Sequence, residues 1–365
     1  MKIAVVDLIS KDGGALTITK SFFDYIAEGN DLDNDWIFVL SDQPLLETQY
    51  VRIVRFPDVR NGYFSRAKTE LIEVNRFLKE ERIDVVICMS NMGVLGCCID
   101  QYVYLQQSIP FQKEKRFSIF KPEEREHALR QYIQGALIKK SIKKSKMVFV
   151  QTDWMKNAVG ESVKNVPIVN VGYPIQTRMS YTKKPKNVGT DFFYPCGPAF
   201  YKNLSIIVDA VDILNKEGYS FSFYITLTKE ELRALSKRDI IDYSTIICMG
   251  KIPHEMVEDL YCKTTLVFSS YIETLGLPLV EAREIGTWII ASDCAFSHEV
   301  LDEYPNKDYF DPFEVNQLVV KMKRVLDGKA LLNTQLGINA SDKRNTCWNS
   351  IISCITNCEK VQDDN

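Results

Sequence analysis

The stretch from Leu266 to Asp293 does most to limit what this chain can fold into. It runs Leu-Val-Phe-Ser-Ser-Tyr-Ile-Glu-Thr-Leu-Gly-Leu-Pro-Leu-Val-Glu-Ala, then reaches Gly286 and the apolar run Trp288 to Ala291. The pattern is a short buried strand at Leu266 to Phe268, a Gly/Pro loop, a helix, and a second strand ending at Asp293. Pro278 suits the first helical position, where its missing N–H costs nothing and its fixed φ is already helical. The loop Glu273-Thr274-Leu275-Gly276 therefore sits at a strand C-terminus and faces a helix N-terminus. Open α/β sheets bind ligands there, and the first N–H groups of such a helix attract phosphate. Two carboxylates bracket the loop, Glu273 before the helix and Glu281 one turn into it, with seven residues between them.

Glu273-x7-Glu281, with Gly276-Leu277-Pro278 inside and Glu281-Ala282 closing it, resembles the E-x7-E signature of the large retaining family of GT-B glycosyltransferases, family 4. The resemblance implies that the first Glu contacts the donor sugar, that the second holds the ribose of a nucleoside diphosphate, and that the amides of Thr274, Leu275 and Gly276 cradle the diphosphate. Two carboxylates at this spacing alone are a weak signal. Their setting in Phe-Ser-Ser-Tyr-Ile-Glu-Thr-Leu-Gly-Leu-Pro-Leu-Val-Glu-Ala makes it strong.

The 365 residues suggest about two domains, and with 45% hydrophobic and 25% charged residues they can build ample core. A net charge of −3 argues against general nucleic-acid binding. Ten cysteines are scattered without metal-type CxxC pairs, several within apolar runs where a thiol acts as a small hydrophobe. With no signal peptide, reduced thiols in a cytoplasmic protein are expected. No apolar run reaches the roughly 18 residues of a membrane span.

From the N-terminus, Ile3 to Leu8 reads as a strand, Gly13-Gly14 as a turn, and Leu16 to Ala27 as a helix, the opening of a Rossmann-like unit without a GxGxxG fingerprint. Gly13 and Gly14 resemble the Gly-Gly loop that approaches the donor diphosphate in GT-B proteins; a plain glycine turn is the alternative. Trp36 to Leu40, Val51 to Arg55 and Val85 to Met89 read as strands, the last tipped by Ser90 and Asn91, a candidate acceptor-side wall. After the strand at Val103 to Leu105, relatives carry a His in a His-x-x-x-Pro-Phe arrangement that contacts the donor sugar. Here Gln106 stands at that place, able to hydrogen-bond but not to shuttle a proton at neutral pH. Residues 122–146 are helical in pattern, with Leu129, Tyr132, Ile133, Ala136, Leu137 and Ile142 at near-helical spacing. This helix ends in Lys139, Lys140, Lys143, Lys144 and Lys146, either a solvated face suited to a helix C-terminus or a contact with anionic lipid headgroups. Met147 to Val150 resembles the last strand of a first domain, Thr152 is placed to cap the next helix, and Thr182 to Lys186 reads as exposed linker.

The second half opens with a strand at Asp191 to Pro195, a loop ending at Lys202-Asn203, and a helix with Leu204, Ile207, Val208, Val211 and Leu214 on one face. By resemblance Lys202 grips the donor phosphates. The Arg that many relatives add in this loop is absent, and a Lys just before a helix is unfavourable to its dipole unless an anion is near. Strands are expected at Phe221 to Ile225 and Thr245 to Met249. Gly250-Lys251-Ile252 resembles the turn whose backbone reads the nucleotide base, so Gly250 and Ile252 join the candidate donor site. His254, His127 and His298 read as surface or helix-start residues. Trp348 to Ile355 is amphipathic and by resemblance folds back on the first domain, with fraying from Val361 onward.

The fold expected is α/β: GT-B, two Rossmann-like doubly wound domains facing across a cleft. The expected boundaries are 1–175 for the acceptor-side domain, 176–340 for the nucleotide-sugar domain and 341–365 for the returning helix. The expected activity is retaining transfer from a nucleoside-diphosphate sugar to a hydroxyl of a saccharide or polyprenyl-linked saccharide, in polysaccharide or glycoconjugate synthesis. Glu273 would be catalytic, with neither a metal nor a cofactor: Asp31-Leu32-Asp33 precedes a strand, where a metal-binding DxD pair would follow one. Any membrane contact would be peripheral, through Lys139, Lys140, Lys143 and Lys144. A catalytically inert sugar-nucleotide-binding subunit and a GT-B sugar-nucleotide epimerase are the alternatives.

Overall fold

The computed structural model describes residues 1–11, 13–122, 124–174, 184–238, 241–333 and 343–363. The chain divides into two compact units, Met1–Arg178 with Ala340–Asn365, and Met179–Asn339. Each is built on a parallel sheet, and both sheets arise from the same sequence habit. In the central strands, short runs of Val, Ile, Phe and Tyr are buried along nearly their whole length, the signature of strands covered on both faces.

In the first unit the strands are β1 (Lys2–Asp7), β2 (Asp35–Leu40), β3 (Val51–Arg55), β4 (Val85–Cys88), β5 (Asp100–Tyr104), β6 (Met147–Val150) and β7 (Ile168–Asn170). Their order is β3-β2-β1-β4-β5-β6-β7. In the second unit they are β8 (Phe192–Tyr194), β9 (Phe223–Ile225), β10 (Ile246–Cys248), β11 (Thr265–Phe268), β12 (Ile289–Ser292) and β13 (Lys307–Phe310), in the order β10-β9-β8-β11-β12-β13. Both are doubly wound Rossmann orders. The direction of winding reverses between β1 and β4 in one unit and between β8 and β11 in the other, and such a reversal opens a crevice at the strands' C-terminal ends.

The helix Lys343–Asp363 belongs to the first unit. Cys347, Trp348, Ile351 and Ile355 enter the same core as Phe22, Phe38 and Tyr104. The Trp348 ring lies 4.7 Å from Phe22 and 6.0 Å from Tyr104, and its indole N–H donates to Ser21 Oγ at 3.3 Å. The helix continues to Asp363, past Val361 where fraying is expected. No helix among the described residues is long and apolar enough to cross a membrane.

Several local expectations are corrected. Gly13 and Gly14 are the first two residues of the helix Gly13–Ala27 rather than a turn before it; Gly13 takes φ +65°, which a side chain would strain. Thr152 occupies the N-cap position of the helix Asp153–Ser162 without a side-chain cap bond. His127 is buried against the Phe117 ring instead of lying at the surface, and burial, with Arg130 adding, holds its pKa below the ordinary histidine value. Of the six apolar residues spaced along 129–142, only Ile142 is buried. Thr182 and Lys183 of the expected linker lie outside the described residues.

Candidate functional site

In the second unit two loops meet at the crevice between β8 and β11. After β8 the chain makes one 3₁₀ turn, Phe200–Lys202, then places Asn203 in the left-handed region (φ +57°) to enter the helix Leu204–Lys216. That helix buries Leu204, Ile207, Val208, Val211 and Leu214, which fixes where its N-terminus lies. After β11 come Ser269 and Ser270, both fully buried, then Tyr271 and Ile272, also buried, and only then the half-buried Glu273 and Thr274. Ser269 Oγ donates to the Lys202 carbonyl at 2.8 Å, and the Tyr271 N–H donates to the Tyr201 carbonyl at 3.1 Å. These bonds fasten the two loops together, and their side chains converge.

Lys202 Nζ lies 2.5 Å from Glu273 Oε1, which also accepts from Ser270 Oγ at 2.9 Å. The ammonium sits 5.5 Å from the Tyr201 ring centre and 5.8 Å from that of Phe268. Burial pulls the Lys202 pKa down, but Glu273, with Tyr201, outweighs it and leaves the net value raised. Lys202 is therefore a fixed cation at neutral pH. Beside it the Cys196 thiol is pushed up to about 12 by burial, against the pull of Lys202, so it stays protonated.

The helix Leu277–Ile285 starts next to this pair. Gly276 stands at its N-cap with φ +79°; a Cβ there would lie 3.2 Å from Leu279 Cδ1 and 3.4 Å from Phe268 Cζ. Glycine is required both for the backbone turn and for the close approach. Pro278 is the second helical residue rather than the first, still within the turn whose N–H groups have no helical acceptor. Glu281, one turn on, accepts a hydrogen bond from the buried Tyr261 hydroxyl at 3.0 Å. Burial raises the Glu281 pKa; His254 and the Tyr261 bond pull the other way, and Glu258 adds to the rise. Tyr261 and His254 come from the helix His254–Lys263, which packs on the Glu281 helix. Gly250 (φ +63°) and the half-buried Ile252 immediately precede it. Sequence reasoning missed Tyr261; the one available signal was that a tyrosine in a buried helix stripe needs a partner for its hydroxyl.

In the first unit the crevice between β1 and β4 holds the N-terminal candidates. Asp7 ends β1 and is fully buried, accepting from Thr19 Oγ1 at 2.6 Å, Ser90 Oγ at 3.0 Å and the Ser10 N–H at 3.1 Å. Ser90 is thereby tied to the strand that leads to Gly13 and Gly14. Asn91 (φ +68°) accepts from the Gln106 N–H at 2.5 Å, and Gln106 Nε2 donates to the Met89 carbonyl at 3.4 Å. Ser90, Asn91 and Gln106 thus meet at the ends of β4 and β5. Ser90 also lines a small cavity with Val6, Leu8, Met92 and Leu95. Asp7 gave no sequence signal beyond ending a strand. Of the other two histidines, His254 opens its helix in an exposed position, and the exposed His298 pairs with Asp293 at 2.5 Å.

Residues 192–343 match the family model described as glycosyl transferases group 1. Among curated protein sequences none matches the chain significantly. Among solved structures it is similar to the sucrose-phosphate synthase of Thermosynechococcus elongatus, with TM-score 0.67 at 13% identity, covering 100% of this chain and 99% of that one. It is similar to WaaG, a glycosyltransferase involved in lipopolysaccharide biosynthesis, with TM-score 0.65 at 13% identity over 97% and 95% of the two chains. A third is Anabaena Alr3699/HepE in complex with UDP and glucose, with TM-score 0.60 at 12% identity over 100% and 99%. Identities this low speak for the fold, and the family match speaks for the second unit. Together they give the chain a GT-B fold in which residues 192–343, the bulk of the second unit, match the glycosyl transferases group 1 family.

Proposed function

We propose that the protein is a cytoplasmic, retaining glycosyltransferase that moves a sugar from a nucleoside-diphosphate sugar to a hydroxyl of a saccharide or lipid-linked saccharide, without a metal, in polysaccharide or glycoconjugate synthesis. The observation that carries this reading is the Lys202–Glu273 contact of 2.5 Å at the β8/β11 crevice, with the half-buried Glu281 one turn into the adjoining helix. A cation and a carboxylate held together there suit the two charges that develop in glycosyl transfer. The departing diphosphate gains negative charge, and the sugar ring gains positive charge at its anomeric carbon.

In this reading Lys202 turns toward the diphosphate when the donor enters. The amides of Thr274, Leu275 and Gly276 and the N-terminus of the helix Leu277–Ile285 share that charge, a preorganised electrostatic role. Glu273, released from part of its ion pair, faces the sugar. Glu281, oriented by Tyr261, accepts from the ribose hydroxyls, and the Gly250–Ile252 turn reads the base. Within the first unit, Gly13 and Gly14 are the candidates for donor contact and Ser90, Asn91 and Gln106 those for acceptor contact. Similarity to a protein crystallised with UDP and glucose supports a uridine donor as the first to try. The test is a thermal-shift screen against UDP, GDP, dTDP and ADP sugars: a cognate donor at a hundred times Kd stabilises by about 2.7 kcal/mol. Absence of a shift with any of the four would remove this reading.

A further inference from the structure

The helical segment between β5 and β6 packs with one face and presents an unexpected one. Its inward stripe is His127, Ala128, Gly135, Ile138 and Ile142. Gly135 admits Pro110, since a Cβ there would lie 2.8 Å from the Pro110 Cβ. The outward stripe is the apolar one. Leu129, Tyr132, Ile133 and Leu137 are 46%, 46%, 60% and 50% exposed, with Ala136 exposed among them. Their spacing, i, i+3, i+4, i+7 and i+8, makes one continuous face. It extends past the start of the helix: Arg125 Nε donates to the Ile119 carbonyl at 3.3 Å, bringing Ile119 and Phe120, 50% and 86% exposed, against the first turn.

At the other end of this stripe stand Lys140, Lys143 and Lys144, all exposed and, among the described residues, in no ion pair. Lys139 behaves differently, half-buried with its ammonium 5.3 Å from the Phe111 ring centre and its pKa lowered by burial. The segment Lys113 to Lys146 holds eleven lysines and arginines against four glutamates, a charge of +7 in a chain whose total is −3. A helix lying in a bilayer interface combines these two features, an apolar stripe for the acyl boundary and cations for anionic headgroups. A second copy of the chain fits less well, because a two-fold contact through this face brings together two segments that each carry a charge of +7.

We propose that the outward face of residues 119–144 seats the protein on an anionic lipid bilayer, with Ile119, Phe120, Leu129, Ile133 and Leu137 entering the interface and Lys140, Lys143 and Lys144 contacting headgroups. This goes beyond the glycosyl-transfer reading and holds whichever sugar is moved. The experiment is co-sedimentation of the full chain with vesicles of phosphatidylcholine alone or mixed with phosphatidylglycerol, at low and high salt. Binding is expected to the mixed vesicles only, and to weaken with salt. Lys140→Gln/Lys143→Gln/Lys144→Gln should weaken it roughly a hundredfold, at about fivefold per lysine. Ile133→Ser/Leu137→Ser should weaken it by about tenfold or more for each inserted side chain, and all five positions are exposed, so thermal melts should match the parent. Three results would overturn the proposal: no binding to mixed vesicles, equal binding to neutral ones, or parental binding by both variants. Sedimentation-velocity detection of a lipid-free dimer that Ile133→Ser/Leu137→Ser disperses would assign the stripe to a contact between copies instead.

Discussion

Replacing Lys202 by Met removes the ammonium and keeps most of the aliphatic stem between Tyr201 and Phe268. The carboxylate of Glu273 is then left with Ser270 as its remaining named partner. Deleting one member of a buried ion pair costs roughly 3–5 kcal/mol. Here the two side chains are 15% and 17% exposed, and water screens part of the loss, so about 2–3 kcal/mol is expected. For a unit of this size that is a fall in Tm of roughly 4–12 °C. Lys202→Met/Glu273→Gln removes the stranded charge as well, so it should regain most of the stability, a coupling that a double-mutant cycle measures directly. The ligand response separates the site from a merely structural pair. The cognate nucleoside diphosphate should bind Lys202→Met about ten- to a hundredfold more weakly by calorimetry, the worth of a charge-assisted phosphate contact. A single variant with the parental Tm, or a double variant whose loss equals the sum of the two singles, would refute the coupling. Unchanged nucleotide affinity would refute the role.

Glu281 gives a pH signature. Its pKa is raised in the folded protein, so its stabilising contribution is present at low pH and lost as pH rises through the folded value. At neutral pH the half-buried carboxylate costs stability, and Glu281→Gln should raise Tm there, with the gain shrinking on acidification, while donor KM rises and kcat holds. A lower Tm at neutral pH would contradict this. Gly276→Ala forces a left-handed residue with a Cβ 3.2 Å from Leu279 and should cost about 1–2 kcal/mol in chemical denaturation, with weaker donor binding. Trp348→Ala empties the core of the first unit and should cost roughly 3–5 kcal/mol; a loss below about 1 kcal/mol would mean the terminal helix adds little to that core.

The elements around Leu266 to Asp293 were legible because each carries its own punctuation. A buried apolar run, a glycine that must turn left-handed and a proline inside the first helical turn leave few ways to fold. The packing face of the helix Leu204–Lys216 was legible for a similar reason, since its apolar positions repeat with the helical period. The helical region 125–142 misled because its apolar stripe has the same period yet points outward, while the inward stripe includes Gly135 and His127, which no hydrophobic pattern marks. What remained hidden were polar contacts between segments far apart in sequence. Asp7 to Ser90 spans 83 residues and Tyr261 to Glu281 spans 20. Strand order brings such pairs together, and no local pattern encodes it.

The central claim is that the β11 loop houses the reacting centre, and Glu273→Gln tests it most directly. The substitution keeps the side chain's size and some hydrogen bonding but removes the charge that faces the sugar as positive charge develops. Steady-state kinetics with the cognate donor should show kcat reduced on the order of 10²-fold or more, the scale of one preorganised electrostatic group, with a smaller rise in KM. Free nucleoside diphosphate, which lacks the sugar, should bind nearly as it does to the parent. A Glu273→Gln enzyme that turns over at the parental kcat would contradict the account and place the chemistry elsewhere.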